Sequence, residues 1–173
     1  MNNIFLIGFM GTGKSTVSAV FEKKCGMERL EMDEWIVRKN KRTVSEIFRD
    51  FGEEYFRNEE TLLLKECARR SNLIISCGGG APMREINVQE MKKNGVVVLL
   101  TAAPETILER VKEDHSRPLI ENNKTVEYIA QLMEKRREKY EAAADLVIET
   151  DGKSAEAICE EILEHLQQTG EKD

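Results

Sequence analysis

Eight residues near the start of the chain, Gly8-Phe9-Met10-Gly11-Thr12-Gly13-Lys14-Ser15, fit the pattern G-x-x-x-x-G-K-[ST] at every fixed position. Glycines reach backbone angles closed to other residues, so such a loop can curl until successive N–H groups point inward. The first turn of a following helix adds free N–H groups of its own. A chain of phosphates suits that cradle. Lys14 would bring a cation to the β- and γ-phosphates, and Ser15 a hydroxyl to Mg²⁺. The motif carries this meaning only between a strand and a helix, and its flanks comply. Residues 3–7 (Asn-Ile-Phe-Leu-Ile) are a short apolar run of the fully buried kind, while Val17, Val20 and Phe21 recur at helical spacing.

The rest of the chain repeats that alternation. Strands are expected at 28–32, 72–77, 95–100 and 146–149, with 95–100 (Gly-Val-Val-Val-Leu-Leu) reading as a strand covered on both faces. Between them come a short helix near 33–37, a helix opened by the capping box Thr43-Val44-Ser45-Glu46, and a long helix over 53–70 with Phe56, Leu62, Leu63 and Cys67 facing inward. Further helices are expected from Pro82 to about Lys93, from Pro104 with Ile107, Leu108 and Val111 inward, over 125–140, and over 155–166. Residues 167–173 read as a frayed tail. Five strands alternating with helices define an α/β chain, three layers around a five-stranded parallel sheet. Right-handed crossovers bring the loops that follow the strands to one edge.

Size and charge narrow the role. A chain of 173 residues is expected to be one domain with a substantial core. No apolar run approaches the ~20 residues of a membrane span, and no signal peptide is visible. Cys25, Cys67, Cys77 and Cys159 are far apart in sequence, which suits a reducing cytoplasm better than a disulfide framework or zinc site. A net charge of −6 speaks against a nucleic-acid-binding surface. It leaves room for a basic pocket, which the placement of the arginines decides.

Several residues are candidates for that pocket. Glu31 and Asp33 follow the second strand, where open α/β sheets bind ligands, and serve a metal, an acceptor hydroxyl or merely a helix start. Gly78-Gly79-Gly80 at the end of the third strand allow close backbone approach to a ligand, or form an ordinary turn. Arg57 and Arg110 lie on helices and reach a ligand or face solvent. Of Lys135-Arg136-Arg137, at most one or two can point into a cleft. Residues 112–124 break the periodicity and are long enough for a lid; His115 within them reads as a solvated side chain without an evident partner.

Taken together these segments resemble the shikimate kinases, over essentially the whole chain. The resemblance is carried by 8–16 (Gly-Phe-Met-Gly-Thr-Gly-Lys-Ser-Thr), by Leu30-Glu31-Met32-Asp33, by Ile47-Phe48 with Gly52-Glu53 and Phe56-Arg57, and by Cys77-Gly78-Gly79-Gly80. Arg117-Pro118-Leu119 and Leu132-Met133-Glu134-Lys135-Arg136 with Tyr140 complete it. It implies a P-loop, nucleoside-monophosphate-kinase-like fold with strand order 2-3-1-4-5, a lid over 112–124, substrate-binding helices within 33–60, and ATP-dependent phosphorylation of the 3-hydroxyl of shikimate.

Roles follow position by position. Gly11, Thr12, Gly13, Lys14, Ser15 and Thr16 would bind ATP, with Arg110 and Lys153 near the adenine and Arg117 on the phosphates. Asp33, Arg57, Gly78, Gly79, Gly80 and Arg136 would hold shikimate, walled by Phe48 and Phe56. Lys14, Asp33 and Arg117 would be catalytic. Ser15, and Glu31 through water, would hold Mg²⁺. The implied protein is a cytoplasmic monomer acting on ATP and shikimate, without nucleic-acid or membrane partners. Two positions depart from the family pattern: Glu31 stands where the family has aspartate, and Ala155 where it has proline. A kinase of another sugar acid such as gluconate, a silent nucleotide-binding module and a nucleic-acid-binding ATPase are the alternatives.

Overall fold

The computed structural model describes residues 2–115, 117 and 119–170. Five strands, β1 (Asn3–Ile7), β2 (Glu28–Glu31), β3 (Leu73–Ser76), β4 (Gly95–Thr101) and β5 (Leu146–Glu149), form one sheet in the order β2-β3-β1-β4-β5, with every neighbouring pair parallel. The helices that cover it are α1 (Lys14–Cys25), α2 (Met32–Asn40), α3 (Val44–Phe51), α4 (Glu53–Cys67), α5 (Glu85–Lys93), α6 (Pro104–Val111), α7 (Val126–Ala143) and α8 (Ala155–Gly170). Class and strand order are those the sequence implies.

The apolar runs become a two-sided core because neighbouring side chains of a strand point to opposite faces. On one face, Ile4, Leu6, Val98 and Leu100 pack with Val17 and Phe21 of α1 and Ile158 and Ile162 of α8. On the other, Phe5, Ile7, Val97 and Leu99 meet Leu63 and Leu64 of α4, Met91 of α5, Ile107 of α6 and Ile129 of α7. Ile36, Ile47 and Phe56 make a separate small cluster that joins α2, α3 and α4. The capping box is present: Thr43 Oγ1 accepts from Glu46 N at 3.2 Å, and Glu46 Oε2 accepts from Thr43 N at 2.9 Å.

The structure corrects three expectations. Helix α4 ends at Cys67 rather than Arg70 because its last carbonyls find partners outside the helix. Asn3 Nδ2 donates to Cys67 O at 3.0 Å and to Arg70 O at 2.9 Å, while its Oδ1 accepts from Leu73 N at 3.0 Å. Leu62 is exposed on α4 and Leu64 takes its inward place, since the stripe through Glu60, Leu63, Leu64 and Cys67 follows the helical period. The end of the chain stays helical through Gly170, its last turn stitched by Thr169 Oγ1 donating to the carbonyls of His165 and Leu166, each at 3.1 Å. Residues 171–173 of the expected tail, and Pro118 of the expected lid signature, lie outside the described residues.

Parallel strands end at one edge of the sheet. The loop 8–13, Glu31, Gly78-Gly79-Gly80 and the segments after β4 and β5 all leave from that edge.

Candidate active site

A cavity of about 1010 Å³ opens at this edge. Lys14, Arg57, Arg110, Arg117 and Arg136 all line it, so an acidic chain presents a basic pocket.

The loop after β1 forms the nucleotide end. Gly13 has φ 94°, a left-handed turn that a residue with a Cβ adopts only under strain, and it leads directly into α1. Thr12 is buried and ties the loop through its Oγ1, which donates to Phe9 O at 2.9 Å. Lys14 folds over the curl, its Nζ donating to Gly8 O at 2.8 Å and Phe9 O at 3.0 Å. Burial, and then the nearby Arg117, lower its ammonium to about 8, although part of the side chain stays open to the cavity. Phosphate oxygens arriving beside it would favour the charged form again. Ser15 and Thr16 sit at the exposed start of α1, and Ser15 Oγ donates to Glu31 Oε2 at 2.8 Å.

The other end is built around the three glycines. A Cβ at Gly80 would fall on the guanidinium of Arg57, one at Gly79 would lie 3.0 Å from Arg136 Nη1, and one at Gly78 would lie 2.6 Å from Glu60 Oε2 and 3.1 Å from Asp33 Oδ1. Absent side chains therefore let two arginines and two carboxylates converge on one stretch of backbone. Phe48 and Phe56 stand beside them edge to face, ring centroids 5.3 Å apart. Arg57 stacks over Phe56 at 5.4 Å and Arg136 over Phe9 at 5.8 Å, which holds each planar fork in place. Tyr140 Oη donates to Gly79 O at 2.6 Å and accepts from Arg136 Nη1 at 3.4 Å.

Two carboxylate oxygens here lack partners among the described residues. Asp33 Oδ1 and Glu60 Oε2 are both buried without a hydrogen bond. Burial raises the Asp33 carboxyl above its ordinary range, against the pull of Arg117, Lys14 and Arg57. Burial raises Glu60 to about 7, although Arg57 Nη1 reaches its Oε1 at 2.8 Å. Unsatisfied buried acceptors are costly unless a ligand brings donors to them. Hydroxyl groups of a bound acceptor would do so.

Among the sequence candidates, Arg110 touches the loop, Nη1 donating to Gly11 O at 2.8 Å. Arg117 lines the cavity with its Nε donating to Asp114 Oδ2 at 2.9 Å. Arg136 alone of the basic run 135–137 points inward, while Arg137 pairs with Glu134 and Glu141 outside. His115 has a partner after all, Nδ1 lying 2.9 Å from Glu121 Oε1. Lys153 does not join the site. It is exposed, lies off the cavity lining, and its Nζ pairs with Glu161 Oε2 at 2.7 Å. The sequence reading passed over Glu60, whose only signal is its position three residues after Arg57 on one helix face.

Among the described residues no cluster of three or more His, Cys, Asp and Glu side chains forms a metal site. The oxygen donors of Ser15 and Glu31 beside a phosphate cradle nevertheless fit a hard divalent cation that a nucleotide's phosphates complete.

A phosphate loop at one end of a cavity and a paired-arginine, paired-carboxylate pocket at the other define a P-loop kinase of small molecules. Residues 10–167 match the family model for shikimate kinase. A shikimate kinase from Persephonella marina is 41% identical over 163 residues, 94% of this chain and 98% of that protein. One from Thermodesulfovibrio yellowstonii is 38% identical, covering 96% of each chain. The solved structure of shikimate kinase from Acinetobacter baumannii in complex with shikimate superposes with a TM-score of 0.92 at 34% identity, covering 98% of this chain and 94% of that one. The chain belongs to the shikimate kinase family.

Proposed function

We propose that this chain transfers the γ-phosphoryl group of ATP to the 3-hydroxyl of shikimate, giving shikimate 3-phosphate and ADP in the pathway to chorismate and the aromatic amino acids. The observation that carries the reading is the convergence of Arg57 and Arg136 on Gly78-Gly79-Gly80 beside the unpartnered Asp33 Oδ1, in the same cavity as Lys14. A carboxylate is matched by planar, permanently charged forks, and ring hydroxyls by buried acceptors. Shikimate carries both. Asp33 and Glu60 accept from the hydroxyls, and Phe48 and Phe56 wall the ring. Phosphoryl transfer needs position and charge balance more than covalent chemistry. Asp33 orients the reacting hydroxyl, and burial, by raising its carboxyl, strengthens it as an acceptor for that hydroxyl's proton. Lys14 and Arg117 neutralise the equatorial oxygens. Arg110 steadies the loop at the adenine side. Ser15, with Glu31 behind it, would hold a divalent cation, which would supply further neutralisation of the phosphate charge.

Residues 112–124 close as a lid over a single kinase domain, excluding water from the transfer. The protein works as a cytoplasmic monomer; among the described residues no helix is long and apolar enough to cross a membrane.

A coupled assay of ADP release tests the reading. Release with ATP and Mg²⁺ should require shikimate and ignore gluconate. Arg136→Ala should raise the shikimate KM by roughly tenfold or more, the loss of a charged hydrogen bond, with a smaller change in kcat. Release independent of shikimate, or an unchanged KM in the variant, overturns the assignment.

A further inference from the structure

Glu31 is longer by one methylene than the aspartate the family pattern places there, and its carboxylate is held, besides Ser15, by two residues that no motif includes. Ser15 and Ser18 lie three residues apart on one face of α1. Arg29 and Glu31 lie two apart on one face of the edge strand β2. The two faces meet. Glu31 Oε1 lies 2.7 Å from Ser18 Oγ, accepts from Arg29 Nε at 3.0 Å and pairs with Arg29 Nη2 at 2.9 Å; the single Ser18 proton is shared between Oε1 and Ser15 O, which lies 2.8 Å from the same hydroxyl. Arg29 also braces the helix, Nε donating to Ser18 Oγ at 3.0 Å and Nη2 to Ser15 O at 3.3 Å. Ser18 is wholly buried. The Arg29 guanidinium and the Ser18 hydroxyl thus crowd Oε1, and Oε2 faces the Ser15 hydroxyl at 2.8 Å.

A hydroxyl has one proton and two lone pairs. When its proton goes to Oε2, its lone pairs face away from Glu31. We propose that Ser18 and Arg29 are positioning residues for the metal: together they clamp Glu31 so that Oε2 takes the Ser15 proton and leaves that oxygen's lone pairs to a divalent cation. This rests on the reading, made above, that such a cation joins the nucleotide at Ser15. Groups that orient a metal's immediate ligands commonly govern its affinity.

Charge alone gives the opposite expectation. Arg29 puts a cation beside the metal position, so on purely electrostatic grounds its removal tightens metal binding. A clamp predicts weakening. It also predicts that Ser18, which carries no charge, matters in the same direction.

Calorimetric titration of ADP, in excess Mg²⁺ and in EDTA, separates these outcomes. For the unaltered protein Mg²⁺ should tighten ADP binding. For Ser18→Ala and Arg29→Gln the affinity in EDTA should stay within about twofold, the scatter expected of uncoupled sites. The tightening by Mg²⁺ should fall roughly tenfold. In a Glu31→Gln background, adding either substitution should change the Mg²⁺ response by less than about twofold, because the clamp has lost what it holds. Ser18→Ala removes one oxygen and no charge, so it keeps the test available where Arg29→Gln does not fold. A full Mg²⁺ response in Ser18→Ala, a stronger one in Arg29→Gln, or equal losses with and without Glu31 overturns the clamp. If Mg²⁺ fails to tighten ADP binding by the unaltered protein, the metal reading falls and takes the clamp with it.

Discussion

Glu60 is a carboxylate with one oxygen on Arg57 and the other on nothing, at a place with no solvent exposure. Burial raises it to about 7, from an ordinary value of 4.5. The sign of its effect on stability follows. Between those values the folded protein keeps a proton that the unfolded chain has lost, so stability falls as pH rises through the window and levels off above it. Each unit of displacement is worth about 1.4 kcal/mol, which sets an upper bound of about 3–4 kcal/mol. Glu60→Gln keeps the neutral form at every pH. Urea unfolding of both proteins without ligand, at pH 5 and pH 8, should therefore show the unaltered protein losing stability relative to the variant on going to pH 8. Parallel profiles would mean that Glu60 is ionised throughout, with Arg57 outweighing burial. Sequence offered little here. Glu60 is one of several acids on a long helix, and what sets it apart is its place beside Gly78 and the charge of Asp33, both far from it in sequence. Lys14 was legible for the converse reason, since its partners Gly8 and Phe9 belong to its own loop.

At the scale of elements, legibility depended on whether the decisive partner was local. The strands are plain because buried runs of a parallel sheet need only be apolar. The start of α3 is plain because its capping box is complete within four residues. The end of α4 was not, because the residue that stops it, Asn3, stands 64 positions before Cys67. Lys153 was hard to read for a similar reason: the resemblance puts it near the adenine, and its side chain pairs with Glu161 on the next helix, eight residues on. Asn3 also offers a test of how α4 is anchored. In Asn3→Ala, Arg70 O keeps a donor in Asn94 Nδ2 at 2.6 Å, and Cys67 O keeps Arg70 N at 3.0 Å. Leu73 N loses the side-chain oxygen it pairs with, at the buried start of β3. One stranded buried donor together with the lost bonds should cost about 2–3 kcal/mol in urea unfolding. The active site is held from the other end of α4, so kcat measured well below the melting temperature should change little. A loss under about 0.5 kcal/mol, the size of an ordinary surface substitution, would remove Asn3 as the anchor.

Across the whole molecule the two halves of the cavity rest on unequal foundations. The phosphate loop grows from β1, the centre of the sheet, between two large cores. The acceptor side leans on α2 and α3: Met32 and Trp35 at the start of α2 reach the large core, and beyond them the two helices pack with α4 on the small cluster of Ile36, Ile47 and Phe56. Segments with few buried apolar contacts open first, and they are the ones a ligand can order. The residues that need ordering are the ones there: Asp33 sits in α2, Phe48 in α3, and Arg117 in the irregular stretch between α6 and α7. Shikimate bridging Asp33, Arg57 and Arg136 would tie α2, α4 and α7 together, and ATP would draw Arg117 toward Lys14. Hydrogen exchange read by mass spectrometry should therefore find faster exchange in 33–51 and 119–124 than in β1 and β4 without ligand. Shikimate should slow the first segment, shikimate with a non-hydrolysable ATP analogue should slow both, and the central strands should stay as they were. If the slowing spread evenly over the sheet, ligands would be stabilising the molecule as one body. If 33–51 were already as protected as β1, the acceptor pocket would be preformed, and its specificity would have to come from the fixed placement of Arg57 and Arg136 alone.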